Sequence, residues 1–156
     1  MLTEKSAQGI DRQQMAEWLN KLKWNWWFTG TFRKDFRINS CERAFYKWFN
    51  TMVWVNDLQV TGFFWCLEFG KSYRRVAHCH AILYLPETEG SERLESWWKV
   101  WFTKYGRCLI EKYDNNLGVG FYLTKYIAKD FFGVGEWGVS YPENRIMVIP
   151  QLESFA

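Results

Sequence analysis

The sequence predicts an α+β domain, a central antiparallel sheet with helices packed on it, and three observations carry that reading. Short runs rich in Trp, Phe, Thr and Val read as strands, and longer stretches place apolar residues at helical spacing. From Trp26 onward these segments follow the order strand, helix, strand, strand, helix, strand, helix, which suits an antiparallel sheet covered by helices. Hydrophobic residues make up 48% of the 156-residue chain, enough for the core of one compact domain.

Residues 1–10 read as a loose start. Asp11, with Gln14 three residues on, is placed to cap a short helix whose Met15, Trp18, Leu19 and Leu22 share one face. Trp26 to Phe32 is β-prone. Ser40 is placed to cap a second helix with a buried stripe of Phe45, Trp48, Phe49, Met52 and Val53, ended by Asn56-Asp57. Val60–Phe69 and Val76–Leu85 read as two strands joined by the basic link Lys71-Ser72-Tyr73-Arg74-Arg75, a hairpin stopped by Pro86. Ser91 caps a third helix in this reading, with Leu94, Trp97, Trp98, Trp101 and Phe102 inward. Cys108–Tyr113 is a further strand, Asp114-Asn115-Asn116 a turn, and Leu117–Phe131 a fourth helix. Gly133, Gly135 and Gly138 then break the chain into loop before a last strand at Ile146–Ile149. The expectation is one domain over 1–156, with a motif-bearing core at about 24–131 and a C-terminal loop and strand at 132–156.

Composition narrows the function. A hydrophobic content of 48% and an aromatic content of 21% exclude a disordered chain. The 11 tryptophans exceed ordinary core needs, so some rings are available in principle to stack on bases. A net charge of +3 permits a nucleic-acid partner without requiring one. No run approaches the roughly 18 apolar residues of a membrane span, and no export signal is apparent. The four cysteines, Cys41, Cys66, Cys79 and Cys108, form no CxxC pair, which argues against a zinc ribbon; free thiols suit the cytoplasm.

The two histidines of the chain sit as His78-Cys79-His80. In a strand, residues two apart project from the same face, so both imidazoles point together while Ala77, Cys79, Ala81 and Leu83 point the other way. Glu68, near the end of the preceding strand and flanked by apolar residues, is the expected third ligand, with a salt bridge to Arg74 or Arg75 as the alternative. Two imidazoles and a carboxylate suit Mg²⁺, Mn²⁺ or another divalent ion and leave positions open for substrate.

The run Tyr122-Leu123-Thr124-Lys125-Tyr126-Ile127-Ala128-Lys129-Asp130 holds the second constellation. On a helix, Tyr122, Tyr126 and Lys129 share one face with Lys125 at its edge, a surface of phenols and ammonium groups suited to a phosphate. A free tyrosine has a pKa of about 10, so attack by its phenolate needs nearby cations.

Together these segments resemble the HUH endonucleases, and within them the rolling-circle replication initiators of small plasmids and single-stranded DNA viruses. Phe28-Thr29-Gly30-Thr31-Phe32 is similar to the family's first motif, with Gly30 where a bulky residue is usual. His78-Cys79-His80 resembles its histidine–hydrophobic–histidine motif, and Tyr126-Ile127-Ala128-Lys129 its Y-x-x-K motif. Cys66-Leu67-Glu68-Phe69-Gly70 is closest in character to initiators of phage type, and the likeness spans about residues 27–130.

The resemblance implies a Rep nuclease fold, related to the ferredoxin-like folds, that nicks and rejoins single-stranded DNA through a 5′-phosphotyrosine at a replication origin. It implies a divalent ion on Glu68, His78 and His80, and Tyr126 as nucleophile, with Tyr122 and Lys125 forming an overlapping Y-x-x-K. It also implies service by a host helicase and polymerase, because the chain contains no phosphate-binding GxxxxGK[ST] loop of its own. By charge alone, Arg33, Lys34, Arg37, Lys71, Arg74 and Arg75 are candidate nucleic-acid contacts. The competing readings are a transposase or relaxase of the same superfamily, a non-haem iron oxygenase built on the same triad, and a single-strand binding module without catalysis.

Overall fold

The computed structural model describes residues 12–33, 36–69, 76–119 and 137–142. The expected fourth helix, apart from its first residues, and the expected strand at 146–149 lie outside the described residues, as do Asp11 and the 71–75 link.

The elements are α1 (Arg12–Asn20), β1 (Trp26–Thr31), α2 (Ile38–Val55), β2 (Gly62–Phe69), β3 (Ala77–Tyr84), a 3₁₀ turn (Pro86–Thr88), α3 (Glu95–Lys104), β4 (Cys108–Lys112) and β5 (Trp137–Ser140). The five strands form one antiparallel sheet in the order β4-β1-β3-β2-β5, with helices packed on it, as the sequence predicts. β3 is the middle strand and carries both histidines.

Strand alternation divides the core in two. Trp26, Phe28, Phe63, Trp65, Leu67, Ala77, Cys79, Ala81 and Leu83 face α2 and α3, where they meet Phe45, Trp48, Phe49, Met52, Trp97 and Trp101. Trp27, Phe64, Cys66, Ile82 and Val139 face the other side, where Ala16 and Leu19 of α1 and the loop residues Trp24, Tyr113 and Val119 cover them. Phe28 stacks on Trp48, their ring centroids 4.5 Å apart, and meets Trp101 edge-on at 4.9 Å. Seven of the 11 tryptophans are buried, so the aromatic excess is mainly core material and not a base-stacking surface.

Several local expectations need correction. α2 begins at Ile38, with Arg37 at its N-cap and no side-chain capping bond, so Ser40 lies inside the first turn. α3 begins at Glu95 behind Leu94, because Ser91 is already held in the turn after Pro86 by its N–H to the Thr88 carbonyl (3.0 Å). Leu94, Trp97 and Trp101 are buried, but Trp98 and Phe102 are exposed, forming the stripe just beyond the sheet contact and stacking on each other at 4.9 Å. Gly138, read as a loop breaker, sits in β5, which pairs with β2. A Cβ there would lie 2.5 Å from the Tyr46 hydroxyl and 2.6 Å from the Trp65 indole nitrogen, two groups already bonded to each other at 2.9 Å. The glycine lets an edge strand cross that pair.

Candidate metal centre

His78 and His80 project from the same face of β3, opposite the face that Cys79 and Ala81 give to the larger core. Glu68 lies on the neighbouring strand β2, directly across from His78 in register. Its carboxylate reaches diagonally instead: Glu68 Oε2 lies 2.9 Å from His80 Nε2. His80 is 4% exposed and the Glu68 side chain 41%, so the pair joins a buried imidazole to a carboxylate open to solvent. The partner of Glu68 is therefore a histidine; Arg74 and Arg75 lie outside the described residues.

On the other flank, β1 pairs with β3 so that Thr29 faces His80 and Thr31 faces His78. Thr29 Oγ1 lies 3.2 Å from His80 Nδ1, and Thr31 Oγ1 lies 3.1 Å from His78 Nδ1. Each imidazole thus has its Nδ1 on a threonine hydroxyl, leaving Nε2 as its other ring nitrogen. Trp27, from the same strand face, stacks on His80 at 5.8 Å and 17°, which restricts ring rotation. Sequence reasoning passes over both threonines as site residues; their one signal is membership of Phe28-Thr29-Gly30-Thr31-Phe32.

Burial, reinforced by the neighbouring His80, pushes the His78 pKa down, while Glu68 opposes the shift. His78 is therefore held toward the neutral form, the form in which an imidazole ligates metal.

The donor set fits a divalent cation in its chemistry. Two cis ligands on an octahedral ion with bonds of about 2.1 Å stand about 3 Å apart, and Glu68 Oε2 and His80 Nε2 already stand 2.9 Å apart. His78 completes the set less closely. Its ring is nearly parallel to that of His80 (16°) with centroids 6.4 Å apart, and among the described residues no three His, Cys, Asp or Glu side chains close around one point.

Of the proposed nucleic-acid contacts, two are described. Arg33 Nη2 donates to the Thr103 carbonyl at 3.1 Å and the Phe102 carbonyl at 3.5 Å, tying β1 to the C-terminal end of α3. Arg37 is exposed at the N-cap of α2, where no acidic residue occupies the first turn. A cation there opposes the helix dipole, so it does not serve the helix. Lys34, Lys71, Arg74, Arg75, Tyr122, Lys125, Tyr126 and Lys129 lie outside the described residues. No helix among the described residues is long and apolar enough to cross a membrane.

An antiparallel sheet that carries two imidazoles and a carboxylate on one face of its central hairpin defines an α+β protein with a polar site at mid-sheet. The chain belongs to the replication-associated protein ORF2 family, whose model matches residues 25–131, and so has the character of a rolling-circle replication initiator. No curated protein and no solved structure matches it.

Proposed function

We propose that this chain is an HUH-type endonuclease and strand transferase that nicks single-stranded DNA at a replication origin and remains attached through a 5′-phosphotyrosine. The observation that carries the proposal is the Glu68–His80 pair on the His78-Cys79-His80 strand, in a chain of the replication-associated family.

Glu68, His78 and His80 would hold Mg²⁺ or Mn²⁺. Such an ion, when bound, supplies Lewis-acid polarisation of a phosphate oxygen. Tyr126 is the nucleophile and Tyr122 its alternate. The phenol gives up its proton and its oxygen attacks phosphorus. The bond from phosphorus to the 3′-oxygen breaks, and that oxygen takes a proton to become the free 3′-hydroxyl. Lys129 and Lys125 offset charge on the phosphate. The same phosphotyrosine, attacked later by a 3′-hydroxyl, rejoins the strand. The 3′-hydroxyl is also the end from which a host polymerase, with a host helicase, would extend. Arg37 and the basic residues Lys34, Lys71, Arg74 and Arg75 hold the DNA backbone.

The test is incubation with a labelled, randomised single-stranded DNA pool and Mn²⁺, followed by a denaturing gel. A covalent adduct that needs the cation and disappears in Tyr126→Phe is the expected result. An adduct that survives in Tyr126→Phe and is lost in Tyr122→Phe moves the nucleophile. Metal-independent binding with no adduct overturns the proposal in favour of a binding module.

A further inference from the structure

His80 lies between two partners with different capacities. On one side its Nε2 meets Glu68 Oε2 at 2.9 Å; on the other its Nδ1 meets Thr29 Oγ1 at 3.2 Å. An ionised carboxylate only accepts, so the neutral ring gives Glu68 its Nε2–H, and Nδ1 must then accept from the threonine hydroxyl. A ring that ligates a cation through Nε2 needs the opposite tautomer, with Nδ1–H donating outward. A hydroxyl can donate or accept, so Thr29 can bond either form. A backbone carbonyl or carboxylate in its place would satisfy only the Nδ1–H tautomer.

We infer that Thr29 is a positioning residue that follows His80 through a tautomer exchange, keeping a 4% exposed ring hydrogen-bonded and oriented both when it bonds Glu68 and when it takes up a cation. The exchange moves one proton from Nε2 to Nδ1 and leaves the ring neutral. Thr31, 3.1 Å from His78 Nδ1, gives the second ring the same kind of partner. The inference rests on the proposed metal site but concerns the side of the ring that the ion does not touch.

Thr29→Val keeps the β-branched shape and removes the hydroxyl; Thr29→Ser restores it. Mn²⁺ affinity is read by electron paramagnetic resonance, and the ring tautomer by ¹⁵N NMR before and after Zn²⁺ as a diamagnetic probe. Wild type should carry its His80 proton on Nε2 without metal and on Nδ1 with Zn²⁺. Thr29→Val should lose about 10-fold or more in Mn²⁺ affinity, as typical of lost outer partners. Thr29→Ser should stay near wild type, and melting curves identify any variant that fails to fold. Wild-type affinity in Thr29→Val, or an unchanged tautomer on Zn²⁺ binding, overturns the inference alone. Wild type that binds neither ion overturns the metal site itself.

Discussion

The indole of Trp101 occupies the space that a side chain at Gly30 would need. A Cβ at position 30 would stand 2.5 Å from Trp101 Cζ2 and 2.6 Å from Phe28 Cζ. Position 30 departs from the usual bulky residue of the first motif because α3 delivers a tryptophan onto the strand at that point. Gly30→Ala should therefore cost about 1–3 kcal/mol of stability through overpacking. Urea unfolding measures it, and Trp101→Phe in the same chain should recover part of the loss relative to the sum of the single changes. A neutral Gly30→Ala would refute the packing account.

Acid should weaken the metal-free fold through His78. Its folded pKa lies below the ordinary imidazole value of about 6.5. The unfolded chain then binds the proton more readily, so this contribution is fully present above about pH 6.5 and is lost as the pH falls below it. In chelator, stability at pH 5.5 should be lower than at pH 7.5. His78→Asn should flatten that difference; an unchanged pH slope in the variant would assign it elsewhere.

The thiols should be silent in the native state. Cys41, Cys66 and Cys79 are buried, and burial pushes the Cys66 and Cys79 thiols well above their ordinary pKa and that of Cys108 up to about 12. The thiolate is the reactive form, so alkylation at pH 8 should be slow until denaturant is added, when all four cysteines react. Rapid labelling of any one of them in native buffer would contradict this.

Arg33 and Arg37 should separate under mutation. Arg33→Ala removes a cationic cap from the carbonyls of α3 and should cost about 0.3–1 kcal/mol. Arg37→Ala removes a cation from a helix N-terminus and should leave stability unchanged or slightly raised. If Arg37 contacts DNA, its loss should also reduce the salt dependence of single-strand binding by about one counterion. Equal stability effects from the two changes would show that the cap is without consequence.

Legibility in the sequence follows the range of the physics. The stripe of α2 and the alternation of β3 are readable because each depends on spacing within one element, and the facing of His78 and His80 follows from period two alone. Glu68 is reachable because β2 precedes β3 in a hairpin. The caps mislead because Ser40 and Ser91 offer local capping chemistry that Arg33–Arg37 and Thr88–Leu94 contacts override. Trp98 escapes prediction because composition says that a tryptophan prefers burial, not which stripe of α3 meets the sheet; its indole instead donates to the Cys108 carbonyl at 3.0 Å. Thr29 and Thr31 look like ordinary β-formers until β1 is laid beside β3, a register across 51 and 47 residues that no local pattern encodes.

That register also sets an order of assembly. Glu68 and His80 stand 12 residues apart on one hairpin, whereas the hydroxyls that orient the rings arrive from a strand 51 and 47 residues away. Closing the shorter loop costs less chain entropy, so the prospective ligands meet before the strand that aims them has docked. A nascent chain halted after Leu85 already contains both groups, yet it gains their mutual orientation only when β1 zips along the hairpin's outer edge. Ion binding would in that case report completion of the sheet, and a divalent cation would act on the late, topologically distant step of folding more than on the hairpin itself.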